Sequence, residues 1–217
     1  IRDNDGAGVW IAAGRGHTLT GNSIHSNATM GIDIGVLGVD PIDSFDEDRE
    51  GPNELQNAPE LESIVVSEAG TRIQGTLTTS RNSPAIVQFF FNPTPSLNGN
   101  GQGRDLIHEF EAISDSDGII EIDFTLEQIL PPGSTVAATA TVESGFFEPG
   151  PFPIETFFNN TSEFSNFVQI PFSETQVNTR VEGNQSGQDV AVAGDGSYVV
   201  AWAGPDDAGE STTVEFR

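Results

Sequence analysis

The stretch best suited to chemistry is DPIDSFDEDREGPN, residues 40–53. In it Asp46, Asp48 and Glu50 alternate and Gly51 follows. Calcium loops open in this way, because alternate carboxylates point inward and a glycine permits the sharp turn. Asp43 and Asn53 would extend the set toward the roughly six to eight oxygens that calcium takes. Counted from Asp46, the twelfth position is Asn57 and not a bidentate acid, so the loop is not a full EF-hand. Calcium is the cation expected here, since magnesium keeps several waters and few protein ligands. The competing reading is a solvated acidic connector. Asp3-Asn4-Asp5-Gly6, Asp115-Ser116-Asp117-Gly118, Asp195-Gly196 and the pair Asp206 and Asp207 are ordinary acidic turn sequences with a weaker claim on a cation.

Histidine and arginine add little. His17, His25 and Asp33 would make a zinc or iron set if the fold brought them together. Each histidine reads as well as a plain polar strand position. His108 alternates with Leu106 and Phe110, which places it half-buried on a strand. Arg2, Arg15 and Asp33 could line a sugar cleft. Gly99, Gly101 and Gly103 form G-x-G-x-G, but no helix pattern follows to complete a phosphate cradle. No G-x-S-x-G elbow and no H-E-x-x-H is present, so no catalytic residue is assigned.

Composition excludes more than the motifs supply. The 217 residues carry a net charge of -25, and all eight basic residues are arginine. A surface this negative repels nucleic acid and anionic membranes. Lysine is absent, which removes Schiff-base chemistry and the P-loop grip. Cysteine is absent too, which removes disulfides and thiolate nucleophiles. No apolar run reaches the roughly 18 residues of a membrane helix. Hydrophobic residues make up 35% of the chain, with 15 Phe, enough for a packed core.

The elements that must position these residues are strands. Ile120, Ile122, Phe124 and Leu126 alternate with polar residues, as do Val136, Ala138, Ala140 and Val142 with Ala and Thr. The chain therefore reads all-β, in three parts. In residues 1–58, Gly8-Val9-Trp10-Ile11 recurs as Gly31-Ile32-Asp33-Ile34 at a spacing of 23, which fits coils of a parallel β-helix with Asn22 and Asn27 at corners. One and a half coils cannot bury their faces, so further coils are expected before Ile1. Residues 59–171 give seven candidate strands, 61–66, 72–77, 85–92, 106–114, 119–126, 135–142 and 163–170, the pattern of an immunoglobulin-like sandwich. Two long loops interrupt it, 93–104 and 143–160, the second with five Phe. That loop is expected to fold back on the sandwich, or else to offer an apolar contact patch. Residues 172–217 predict two strands around an Asp195-Gly196 turn and a third at Thr212–Phe216.

Several stretches look familiar. HTLTGNSIHSN, GIDIG and GPNELQNAPEL resemble the closing coil of right-handed β-helix regions in large secreted bacterial surface proteins. GTLTTSRNSPAIVQFFFNP, GRDLIHEFEAISDSDG, PPGSTVAATATV and TSEFSNFV resemble the Ig-like module that follows such a coil, and the tail resembles propeller-like NQS…VAV…DG…W repeats. The resemblance implies a non-catalytic structural or adhesive module, secreted or at the cell surface. Its implied partners are neighbouring modules, a second copy in a filament, or surface polysaccharide. The alternative is a fragment of a carbohydrate-active β-helix enzyme, a lyase or glycosidase, or a carbohydrate-binding module.

Overall fold

The computed structural model describes residues 1–47, 50–96, 101–148, 154–172, 186–192, 198–205 and 212–216. The fold is all-β, and the chain divides into two compact units, Ile1–Phe172 and Ser173–Arg217.

The first unit begins with β1 (Val9–Ile11) and β2 (Ile32–Ile34), which pair in parallel with Val9 opposite Ile32. The offset is the 23 residues of the sequence repeat. It recurs where Arg2 bridges His25 and where the Asn4 amide donates to Asn27 Oδ1 at 2.8 Å. Two sheets follow. β3 (Glu60–Ser67), β4 (Gly70–Thr78) and β7 (Ile119–Leu126) form one, in the order β3-β4-β7. β5 (Pro84–Asn92), β6 (Asp105–Ile113) and β8 (Thr135–Glu148) form the other, in the order β6-β5-β8. The outer edge of β8 pairs with β9 (Ile154–Thr161) at one end and β10 (Val168–Gln169) at the other.

Two expected features take a different form. The stretch 143–160 is not a loop: β8 runs on to Glu148 and returns as β9, with Gly145 opposite Phe157. Its Pro and Gly residues gave it a loop texture, yet both arms are strand. Phe157 is exposed and Phe158 is half-buried beside Gly16. Conversely, the expected strand 163–170 shrinks to β10. Between β9 and β10 the chain still lines the β8 edge, with two serines completing the ladder. The Ala140 and Ala138 amides donate to Ser162 and Ser165 Oγ at 3.0 and 2.8 Å, and the serine amides donate back to the same residues' carbonyls. Hydroxyl bonds replace part of the backbone ladder, so the segment satisfies the edge without strand geometry.

Alternation along β5 and β8 buries both faces. Val87, Phe89, Val136, Ala138 and Ala140 meet Ile73, Leu77, Ile120 and Ile122 of the opposite sheet. The other face carries Phe90 and Ala137, which pack with Phe164 against Ile11, Ile24, Ile32 and Ile34 of the N-terminal segment. Residues 1–58 and 59–171 thus share a core. Close approach explains two glycines: a Cβ on Gly103 would stand 2.5 Å from the Phe164 ring, and one on Gly31 would stand 2.7 Å from it. Gly103 also exchanges backbone hydrogen bonds with Ile24 at 2.6 and 2.7 Å. This is the structural use of Gly101-x-Gly103.

The second unit is an antiparallel sheet of β11 (Ser186–Val192), β12 (Tyr198–Pro205) and β13 (Thr212–Phe216). The Asp195-Gly196 turn and the acids at 206 and 207 lie outside the described residues.

Phe164 packs on the Phe90 ring and against Gly31 and Gly103 at the face toward the N-terminal segment. Phe164→Ala is expected to destabilise the first unit by about 3–5 kcal/mol, the usual range for a buried aromatic. Urea unfolding of the full chain measures it, and a loss below about 1 kcal/mol would show that this face is not a packed core.

Candidate functional site: the junction of the N-terminal segment and the sandwich

The acidic loop is organised by amides. Asn57 is its centre: its Oδ1 accepts from the Asp43 amide at 3.1 Å, and its Nδ2 donates to the Asp43 and Thr78 carbonyls. Asp46 Oδ1 accepts from the Asn57 amide at 2.8 Å, and Asp43 Oδ2 from the Glu47 amide at 2.8 Å. Asp43 Oδ1 is buried without a hydrogen-bond partner. Phe45 and Asp46 have φ of 63° and 53°, and Arg81 lies over the Phe45 ring at 3.9 Å. Glu50 is exposed, and Asp48 lies outside the described residues.

Asn53 is turned away from these carboxylates. Its Oδ1 accepts from the His17 amide at 2.9 Å, and its Nδ2 donates to the His17 and Thr161 carbonyls. Asn53, Glu54 and Leu55 all have φ between 47° and 55°, a left-handed turn that side chains ordinarily avoid. Side chains hold it in place. Glu54 accepts from Arg15 at 3.0 Å and from Asn160 Nδ2 at 3.1 Å, while Asn160 Oδ1 accepts from the Gly16 amide at 2.7 Å. Together Asn53, Glu54, Asn57 and Asn160 bind the N-terminal segment to the sandwich.

The same device recurs along the segment. Its amides at Leu19, Gly21, Asn27 and Ile34 donate to Thr161 Oγ1, Gln88 Oε1, Gln102 Oε1 and Glu163 Oε1, at 2.9–3.0 Å. Buried backbone donors must find acceptors, and here sandwich side chains supply them.

Glu163 is the one carboxylate in that set. It also accepts from the Asp40 amide at 3.1 Å. Burial raises its carboxyl to about 7, outweighing both backbone bonds, and the Asp40 and Asp33 charges push the same way. Asp33 is itself buried, its Oδ1 lacks a hydrogen-bond partner, and desolvation raises its pKa against a hydrogen bond from the Gly38 amide.

The remaining candidates scatter. His17 Nε2 is 3.0 Å from the Ala13 carbonyl, and His25 Nδ1 is 2.9 Å from Ser26 Oγ. Asp33 sits on β2 opposite Trp10. Among the described residues no three His, Asp or Glu side chains are grouped to hold a metal ion. His108 is half-buried as its alternation implies, stacked on Phe124 at 4.2 Å. Asp115 is a turn acid: its Oδ1 accepts from the Asp117 and Ile119 amides, and the Ile119 bond foremost lowers its pKa. Sequence reasoning assigned no role to Asn160, Gln88, Gln102 or Glu163. Only Gln88 stands between apolar neighbours, and period-two alternation places it equally well on a solvent face; each of the other three has a polar or glycine neighbour and no local signal. In comparisons with known protein families and with curated proteins, nothing matched the chain.

The Glu163 shift has a signed consequence. The folded state holds a proton that the unfolded chain, near 4.5, releases first. This contribution therefore favours folding below pH 4.5 and is lost as pH rises to about 7. The span corresponds to at most about 3 kcal/mol. Glu163→Gln should flatten that limb of the stability curve, while the contribution of Asp115, whose pKa is lowered, is constant above its ordinary 3.8 and is lost only as pH falls below it. Urea midpoints of both proteins from pH 4 to 8 measure it; parallel curves would contradict the assignment.

Proposed function

We infer that the chain is a non-catalytic structural and adhesive module of a large secreted or cell-surface bacterial protein. In this reading residues 1–58 are the end of a right-handed parallel β-helix, 59–171 an Ig-like sandwich, and 172–217 a blade-like repeat. The observation that carries it is the junction itself. The buried polar side chains there are spent on backbone partners of the neighbouring segment, the arrangement of a rigid joint and not of a reactive centre. The 23-residue parallel offset supports the β-helix assignment. Val36, Leu37 and Val39 are large apolar residues exposed within four positions just after β2, which suits contact with a neighbouring module or a second copy.

Calcium belongs to the same reading. Asp43, with its buried unpartnered oxygen beside Asp46, is the observation that favours it. Cation binding at residues 43–50 would relieve carboxylate repulsion and stiffen the joint.

Two measurements test this. Millimolar calcium should raise the thermal midpoint of the full chain by several degrees over excess chelator, and an unchanged midpoint removes calcium from the account. Incubation with neutral and acidic polysaccharides should release no reducing or unsaturated ends; release would favour the lyase or glycosidase alternative.

A further inference from the structure

One cavity of about 950 Å³ opens in the first unit, between residues 2–5 and 25–28 on one side and 92–96 and 102–104 on the other. Its size is near the top of the range for small-molecule sites, roughly 300–1,000 Å³. Arg2, Arg104 and His25 line it together with the acids Asp3 and Asp5. Two of the chain's eight arginines thus meet at one cavity.

The other described arginines are committed elsewhere. Arg72 grips Asp123 through two bonds of 2.7 and 2.5 Å, Arg15 bonds Glu54 at 3.0 Å, and Arg81 lies over Phe45. Arg2 and Arg104 are held loosely. Their nearest carboxylates, Asp3 and Asp105, stand at 3.5 and 3.7 Å, and their side chains are 69% and 49% exposed. Each is thus ion-paired at the long end of the contact range through a side chain about half-exposed or more.

The floor is preorganised. Gln102 Oε1 accepts from the Asn27 amide at 2.9 Å, its Nε2 donates to the Asn27 carbonyl at 2.9 Å, and Asn92 Nδ2 donates to the Gln102 carbonyl at 2.7 Å. All three side chains are buried and polar. Desolvation, then Arg104 and Arg2, lower the His25 pKa, so the imidazole is neutral at pH 7 and offers hydrogen bonds to a hydroxyl, not a third charge. Half-buried Phe167 adds an apolar surface for a ring.

We propose that this cavity binds a short oligosaccharide bearing an isolated carboxylate, with Arg2 and Arg104 taking the carboxylate and His25 a ring hydroxyl. Guanidinium forks match carboxylate geometry, and a neutral imidazole suits a hydroxyl. Charge narrows the class: a dense polyanion would be repelled by the whole chain and by Asp3 and Asp5 at the cavity, whereas one carboxylate facing the two arginines is screened from acids beyond about 8 Å. The proposal deepens the adhesive half of the functional reading and rests on it only for the source of the sugar; its failure would leave the rigid joint standing.

Calorimetric titration of the full chain tests it, with a disaccharide ending in glucuronate against the same disaccharide ending in glucose. The acidic sugar should bind at least about tenfold more tightly, the weight of one charge-assisted contact. The double variant R2Q/R104Q should lose about that factor with its thermal midpoint unchanged. Asp3→Asn, which removes the carboxylate competing for Arg2 at a positive-φ position that Asn tolerates, should tighten binding, an outcome misfolding cannot produce. Equal binding of both sugars, undiminished binding by the double variant, or inorganic sulfate binding as tightly as the disaccharide would each overturn the proposal.

Discussion

The sheet of β6, β5 and β8 has a buried inner strand pair with no solvent side, and the rest of the first unit follows from that. Consecutive residues Phe89 and Phe90, and Ala137 and Ala138, serve opposite cores. A sandwich sheet ordinarily alternates apolar inward and polar outward. Here the outward face meets the N-terminal segment, whose two short parallel strands cannot close a core of their own. Phe164, delivered by the segment along the β8 edge, fills the space between them.

Burying a second face raises a polar problem as well as solving an apolar one. Backbone amides of the N-terminal segment that point toward the sandwich find no strand there. Amide, hydroxyl and carboxyl side chains answer them in turn: Asn160 for Gly16, Gln88 for Gly21, Gln102 for Asn27 and Glu163 for Ile34. Each would be costly if left in an apolar contact without that partner. The polar and apolar parts of the junction therefore depend on each other. The left-handed turn at Asn53–Leu55 is held by the same contacts, and Glu163 carries a pH sensitivity because a carboxylate, and not an amide, occupies its position.

Much of this architecture is legible in the sequence, and the omissions have physical reasons. Strands such as Ile119–Leu126 announce themselves because one face is buried and the other wet. The 23-residue spacing of Val9 and Ile32 survives as a pairing register because the two short strands lie parallel, residue beside residue. The return strand Ile154–Thr161 was obscured by the Pro and Gly around it, which read as turn. Ser162 and Ser165 look like strand positions, yet their hydroxyls replace the ladder they seemed to join. The polar lock is least legible, since Asn53 and Asn57 read as turn residues or ligands until their acceptors, far off in sequence, are in place. The cavity beside Arg2 and Arg104 is assembled from six separated places in the chain and has no local signature.

With a shared core and a shared polar lock, residues 1–58 and the sandwich should open as one cooperative body. Native-state hydrogen exchange tests this directly, by comparing the amides of Ile32 and Ile34 with those of Val87 and Phe89 across increasing denaturant. Shared opening free energies, converging on the global unfolding value, are predicted. Opening of the Ile32 and Ile34 amides at least about 2 kcal/mol below that value, with Val87 and Phe89 still protected, would contradict it.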